Sequence, residues 1–430
     1  MTYRLYSLIT LLLSAQAIHA QELLLTSSKQ AIYNVGDTVQ FNATLLSGTS
    51  DSIQLTIWNN YHAKPVKKKL PTTGVATILY RQPALAPGTI IVEASTDKDT
   101  ATLGAVIAPN QLRMSGTRPR DIDQYWQKER KALRAMPLQV QLKPVSTVST
   151  ATLCFDAEIN CTGPAPARGY FAKPQAAAAH SLPIVLYLHA AGVKGNWCQA
   201  QPEIAVKYAS MGRGALSFDL NAHGMLNGQP QSYYDSLEQS VLANYYNRPV
   251  TTRQAYYFRG MYLRLMRVLD FLTQQPQWDG KHILVMGESQ GGGQALVAAG
   301  LDHRVTDVVV TVPALCDYAA TLDNSKGGWP NPYLQVTDLA KANEVLPYFD
   351  AGWLLTGCKA NLVTEIGLID FTCPSSSIYA AINQATGKKI VYAVPYRAHH
   401  MSQPYYQSTW NNTVRDPREA YIARFLGAGR

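Results

Sequence analysis

The chain has 430 residues, 47% of them hydrophobic and 16% charged, and carries a formal net charge of +9. This length is too great for one small domain, and the composition is that of a folded globular protein, which excludes a disordered or fibrous chain. The positive charge does not point to nucleic acid: the only dense basic run, residues 64–69, lies beside two prolines, lacks interleaved aromatics and reads as a solvated loop.

Residues 1–20 carry a single Arg4, an apolar run over 8–13 and then small residues at Ala15, Ala17 and Ala20, the pattern of a secretory signal peptide. The apolar run is too short to span a bilayer and no cysteine lies near the expected cleavage site, so no stable membrane anchor is expected. The mature chain is therefore expected in a periplasm or outside the cell. All six cysteines (Cys154, Cys161, Cys198, Cys316, Cys358 and Cys373) follow this leader, an even number in a compartment where disulfides persist. Cys154 and Cys161 are close enough in sequence to close a small loop and form the one pairing expected. Cys316 and Cys358 sit among apolar neighbours, as buried free thiols do. None of the six has zinc-ligand spacing, and neither a metal nor an organic cofactor is expected.

Over residues 21–108 no helical period appears. Thr38–Leu45 alternates strictly, with Val39, Phe41, Ala43 and Leu45 on one face. Similar short runs at 53–58, 76–80 and 89–94 are separated by Gly and Pro turn signals, which predicts a small all-β sandwich of immunoglobulin-like type. Its simplest role is that of a spacer; Trp58, Tyr61 and Tyr80 are its only aromatics that could form a binding face.

Residues 109–119 form a polar connector, and a charged amphipathic helix over 121–133 carries Ile122, Tyr125, Trp126 and Leu133 toward a core. A second domain over 109–430 begins with it. Strands at 184–188, 214–218 and 283–286 alternate with helices around 203–210, 254–272 and from Gln290. Further strands fit 307–312, 361–369 and 389–394. This alternation predicts an α/β fold with a doubly wound, mainly parallel sheet.

The run Ile283-Leu284-Val285-Met286 turns through Gly287-Glu288-Ser289-Gln290-Gly291 into an apolar helix. A Gly-x-Ser-x-Gly pentapeptide between strand and helix is a nucleophile elbow, in which the glycines let the chain bend sharply and lift the serine hydroxyl above the sheet. Serine needs a base to take its proton, and the base needs a third group to orient it. In an α/β-hydrolase these follow in the order Ser, acid, His. Asp370 closes the strand over 364–369, and His399 follows the strand over 389–394, so both order and placement agree. His400 competes with His399 because sequence neighbours cannot be separated by spacing. Asp219 and Glu365 are alternative acids, but Asp219 precedes the elbow and Glu365 lies within a strand. His189, His223, His282 and His303 read as structural. An oxyanion hole would draw one N–H from Gln290 and another from the small-residue loop His189-Ala190-Ala191-Gly192, where Ala191 is the choice.

These residues are similar to carbohydrate esterase family 7, the acetyl xylan esterase and cephalosporin C deacetylase group. The resemblance covers roughly residue 121 to the C-terminus. It rests on Tyr256-Tyr257-Phe258-Arg259-Gly260, on the Ser-Gln form of the elbow, and on Gly367-Leu368-Ile369-Asp370 followed by Cys373-Pro374-Ser375. It implies an α/β-hydrolase with Ser289 as nucleophile, Asp370 as acid and His399 as base, because Pro395-Tyr396-x-x-His399 matches the family's histidine loop. Where the family has Arg-Gly-Gln, this chain has Asn221-Ala222-His223-Gly224. The family's Glu after the histidine is His400, and its oxyanion-loop tyrosine is Ala191. Members are often single-domain hexamers, so a homo-oligomer is within the resemblance, although this chain has two domains and a leader. The function implied is a secreted serine esterase that removes acetyl groups from xylan-derived or related sugars, with Trp197 and Tyr396 as sugar-stacking residues. The alternatives are an esterase or peptidase of the same fold acting on another acyl group, and a non-catalytic carbohydrate-binding protein.

Overall fold

The structure, a computed structural model, describes residues 23–46, 50–72, 76–400 and 406–428. The expected signal peptide over 1–20 lies outside the described residues. Eight strands come first: β1 (Leu23–Ser27), β2 (Ile32–Tyr33), β3 (Thr38–Leu45), β4 (Ser52–Asn59), β5 (Val66–Pro71), β6 (Ala76–Pro83), β7 (Gly88–Ser95) and β8 (Thr100–Ile107). They form a three-stranded sheet of order β1-β3-β6 and a five-stranded sheet of order β2-β8-β7-β4-β5. Val39, Phe41 and Ala43 from one sheet and Ile53, Leu55, Ile90 and Val92 from the other share one apolar core, so the alternation in sequence marks the buried faces. Residues 64–69 do not form a solvated loop. Lys67, Lys68 and Lys69 lie on β5, an exposed strand at the edge of the five-stranded sheet, where charged side chains oppose pairing with another chain's strand. In β7, Ile91 points away from the sandwich core and is still only 1% exposed.

The connector after β8 is tied down, with Asn383 Nδ2 donating to the carbonyls of Pro109 and Leu112 at 2.8 and 3.0 Å. The amphipathic helix follows at Ile122–Ala135, burying Ile122, Tyr125, Trp126 and Leu133 as its pattern requires. Nine further strands then form one sheet: β9 (Val140–Pro144), β10 (Thr152–Ile159), β11 (Ala167–Pro174), β12 (Leu182–Leu188), β13 (Leu216–Asn221), β14 (Trp278–Glu288), β15 (Asp307–Thr311), β16 (Asn361–Gly367) and β17 (Lys389–Val394). Their order is β17-β16-β15-β14-β12-β13-β11-β10-β9. The six strands β12 to β17 pair in parallel, and β9, β10 and β11 pair antiparallel at one edge. The sheet is covered on both faces: helices Tyr257–Leu272 and Gln290–Leu301 pack on Ile184, Leu186 and Leu188, and helices Pro202–Ser210 and Asp416–Phe425 pack on Val185, Leu284 and Met286. This is the expected doubly wound, mainly parallel architecture.

The helix Tyr257–Leu272 is buried nearly all round, including two arginines. Arg264 donates to the Ala222 carbonyl at 3.0 and 2.7 Å, and Arg267 donates to the carbonyls of Asn160, Leu133, Met136 and Pro137. Buried guanidinium groups are tolerated there because loop carbonyls take up their N–H donors.

The expected Cys154–Cys161 bridge does not form, and all six cysteines are free. The reason is β10. Its extended backbone carries the chain about 16 Å from Cys154 to Ile159, and a disulfide needs its Cα atoms within about 7 Å. Cys316 is fully buried and Cys358 partly so. Titration with a thiol reagent in denaturant, without prior reduction, is expected to find six thiols per chain; a value of four would contradict this arrangement.

Candidate active site

Ser289 stands between β14 and the helix Gln290–Leu301 with φ 53 and ψ −117, a conformation that costs on the order of 1–3 kcal/mol for a residue with a side chain. The surroundings hold it there. Its N–H donates to Thr311 O at 3.0 Å, and its carbonyl accepts from Gly293 and Ala314 at 2.9 and 2.8 Å. The flanking glycines are required by contact rather than by dihedral freedom. A Cβ on Gly291 would lie 2.2 Å from the Leu188 carbonyl oxygen, and one on Gly287 would lie 2.4 Å from the Gly291 carbonyl carbon.

Three segments distant in sequence meet at this serine. His399, on the loop after β17, has Nε2 2.9 Å from Ser289 Oγ and Nδ1 2.8 Å from Asp370 Oδ2. Because the carboxylate can only accept, Nδ1 carries the proton and Nε2 faces the hydroxyl as an acceptor. Asp370 follows β16 with no solvent exposure, and its Oδ1 accepts the N–H groups of Thr372 and Cys373 at 2.7 and 2.8 Å. It therefore caps a turn and orients a histidine at once. His400 is exposed, with its ring edge-on to His399 at 5.1 Å, so His399 is the histidine that faces both Ser289 and Asp370.

The alternative acids are committed elsewhere. Asp219 is buried against His189 Nε2 and accepts the Gln201 N–H at 2.8 Å. Burial alone would lower the His189 pKa, but the Asp219 charge together with the hydrogen bonds to Asp219 and to the Trp197 carbonyl outweighs it and holds the ring above its ordinary value. Glu365, also fully buried, receives Arg397 Nη1 at 3.0 Å, Arg418 Nη1 at 2.6 Å and Trp410 Nε1 at 2.7 Å. Since Arg397 lies two residues before His399, this cluster anchors the histidine loop to the sheet. Asp370, Cys373 and His399 hold ligand-type atoms within 4.8 Å of one another. Both nitrogens of His399 are already engaged, and burial with the neighbouring Asp370 charge pushes the Cys373 thiol well up, so the donor set suits proton transfer rather than cation binding.

Gln290 is the first residue of its helix, where N–H groups lack intrahelical partners and the helix dipole favours negative charge. The Ala191 loop lies beside it and is braced on three sides. Trp197 Nε1 donates to Ala191 O at 3.0 Å, Gly192 N–H donates to Tyr245 Oη at 3.3 Å, and His223 Nε2 donates to Gly192 O at 2.9 Å. Tyr245 in turn donates to Gln290 Oε1 at 2.6 Å, so one phenol links the loop at Gly192 to the side chain of Gln290. His223 accepts from Tyr257 Oη at 2.8 Å on its other nitrogen. Burial, helped by Arg264, pushes its pKa down to about 3, so it braces the loop as a neutral ring. Tyr245 was not legible in the sequence: it sits in a tyrosine-rich stretch with no distinguishing spacing.

A cavity of about 470 Å³ opens beside Ala191 and Gly192, lined also by Tyr245, Tyr246, Asn244 and Trp329. Trp329 and Tyr246 lie 5.6 Å apart, and the Trp329 N–H donates to Thr372 O at 3.1 Å, which links this wall to the Asp370 turn. The two expected stacking residues lie outside this lining. Trp197 is 66% exposed on the outside of the oxyanion loop, and Tyr396 stacks on Tyr406 at 4.1 Å.

The family described as acetyl xylan esterase (AXE1) matches residues 110–414. This chain belongs to the acetyl xylan esterase family. The family match begins after β8, so the sandwich lies outside it. Acetyl esterase Axe7A of Xylanibacter ruminicola is 28% identical over 313 residues, 70% of this chain and 69% of that protein. An acetyl xylan esterase from a Paenibacillus species is 25% identical with a TM-score of 0.59, over 73% of this chain and 98% of that one. Acetyl xylan esterase 1 from a Thermoanaerobacterium species, 22% identical with a TM-score of 0.59, shares the fold over 74% of this chain and 97% of that one. The large sheet is thus that of an α/β-hydrolase esterase.

The neutral His223 has a consequence for acid stability. Its folded pKa of about 3 lies below the ordinary 6.5, so as pH falls the unfolded chain binds this proton first. From this group alone stability falls by about 1.4 kcal/mol per pH unit below about pH 6 and levels off as the folded pKa is passed. His223→Gln is expected to flatten the acid slope by that amount in urea unfolding between about pH 4 and 6; an unchanged slope would show that His223 is not held neutral.

Proposed function

We propose that this esterase deacetylates sugars, of xylan-derived or related type, through a Ser289-His399-Asp370 triad. The continuous hydrogen-bonded path from Ser289 Oγ through His399 to the buried Asp370 carries the reading. Ser289 Oγ attacks the acetyl carbonyl carbon while His399 Nε2 takes its proton. The oxyanion formed is held by the N–H groups of Gln290 and Ala191, which Tyr245 and His223 keep in place. As the carbon–oxygen bond to the sugar breaks, His399 returns the proton to the departing hydroxyl. Water, deprotonated by the same ring, then attacks the acetyl-enzyme; the bond to Ser289 Oγ breaks, the ring returns its proton to Oγ, and the acid leaves as acetate.

The cavity beside the oxyanion loop supports a sugar as the alcohol part. Trp329 and Tyr246 offer flat apolar faces, and Asn244 and Glu238 offer polar groups at the same wall, a combination that suits a pyranose ring with hydroxyls around its edge. The relatives named for acetyl esters support acetate as the acyl group. The leader-like residues 1–20 support export to a periplasm or the medium, and among the described residues no helix is long and apolar enough to cross a membrane.

Acetate release from acetylated xylo-oligosaccharides is the direct test. Ser289→Ala and His399→Ala are expected to lose about 10⁴-fold or more in kcat, and His400→Ala to stay within a few-fold of the parent. Cleavage of small model esters alone, with no acetate from the oligosaccharides, would keep the hydrolase and remove the sugar. Trp329→Ala is expected to raise KM for the oligosaccharide about tenfold with kcat little changed. An unchanged KM would place the sugar elsewhere.

A further inference from the structure

The N-terminal sandwich meets the rest of the chain at the loops that carry Asp370 and His399. Trp58, Tyr61 and Ile91 of the sandwich pack into a separate apolar cluster with Ile369, Phe371 and Ala398. Ile369 and Phe371 are the two neighbours of Asp370, and Ala398 immediately precedes His399. Two of the three aromatic residues that sequence alone offers as a ligand-binding face are engaged in this contact, Trp58 and Tyr61 meeting the Phe371 ring edge-on at 5.3 and 5.4 Å, while Tyr80 packs on Phe41 at 6.1 Å.

Polar contacts reach the same loop from the same side. Tyr61 Oη donates to Leu368 O at 3.2 Å, accepts the Ser375 N–H at 3.1 Å and lies 2.9 Å from Ser375 Oγ. Leu368 and Ser375 bracket the turn that carries Asp370, so one buried phenol bridges its two ends. From β8, Gly104 N–H donates to Pro395 O at 2.8 Å, at the start of the histidine loop. A Cβ on Gly104 would lie 2.3 Å from Leu368 O, so only glycine lets β8 come this close. Tyr61 itself has φ 57, a left-handed conformation that bulky residues avoid. The adjoining Asn60 holds that turn, its side chain accepting Thr89 N–H at 2.7 Å and its carbonyl accepting Ser325 Oγ at 2.7 Å. Strain kept in place by this many contacts, at a residue aimed at the acid's turn, fits a positioning role better than a spacer's.

We propose that the sandwich fixes the Asp370 and His399 loops in register with Ser289, with Tyr61 as the positioning residue that ties the two ends of the Asp370 turn. The proposal rests on the triad reading. Neither Tyr61 nor the sandwich touches the cavity, so their removal acts on the chemical step and leaves substrate binding intact.

The test uses the full chain and a small acetate ester such as p-nitrophenyl acetate, which needs no sugar contacts. Tyr61→Phe keeps the ring packing and removes the hydroxyl; Ser375→Ala removes one partner. Each is expected to lower kcat about tenfold with KM within twofold, and to displace the acidic limb of the kcat/KM profile against pH. Because both act through one turn, the double variant is expected to lose no more than the worse single variant. Val39→Ala, in the sandwich core away from the contact, serves as the control: it lowers the Tm and is expected to leave kcat and the pH profile unchanged. Parent-like kcat and pH profile in Tyr61→Phe, or a loss in Val39→Ala that tracks its Tm equally, would overturn the proposal. Ser289→Ala run in parallel separates the two readings, since activity surviving there would sink the triad rather than the sandwich's role.

Discussion

A carboxylate with no access to water has to be held by donors, and Asp370 is the group around which this molecule is arranged. Two backbone N–H groups of its own turn take one oxygen, and His399 takes the other. An unpaired charge at that depth would be strongly unfavourable, so the turn, the histidine loop and the elbow are constrained to meet. The same requirement fixes the histidine tautomer, because a carboxylate on Nδ1 leaves only Nε2 free to accept the serine hydroxyl's hydrogen bond.

Each arm of the site has its own brace, and the braces come from different layers. The histidine loop is anchored from below by Arg397 on the buried Glu365, which also gathers Arg418 and Trp410 from the C-terminal segment. The oxyanion loop is held by Trp197, Tyr245 and His223, the last linked through Tyr257 to the long buried helix. Here a neutral imidazole between a carbonyl and a phenol does the bracing, and burial keeps it uncharged. The acid's turn is closed from outside by the sandwich.

Much of this could be read from the chain. The elbow is a local pattern with one steric solution, and Ser, Asp and His follow in the order the parallel sheet dictates. The alternation of Val39, Phe41 and Ala43 is a local record of burial, and the strand over 38–45 ends where the pattern ends. What escaped is non-local or two-sided. At the antiparallel edge, β9 is short and mostly exposed, and β10 and β11 mix small and charged residues with apolar ones so that neither face shows a clean period. The lysine-rich β5 has the composition of a loop because an edge strand needs charge. Tyr61 and Ile91 look like ordinary strand and turn residues, since the partner that buries them lies some 300 positions away, at separations such as 307 and 314 for the Tyr61 bonds. Proximity of Cys154 and Cys161 in sequence misled because an extended strand converts nearness in sequence into distance.

On the proposed mechanism Ser289 is a nucleophile activated through His399. Reaction of the full chain with a fluorophosphonate, followed by intact mass and peptide mapping, tests it most directly. A single adduct on Ser289, formed in proportion to the loss of esterase activity and abolished in His399→Ala, is the predicted result. An adduct at another residue, or full activity in a chain whose Ser289 is quantitatively blocked, would contradict it.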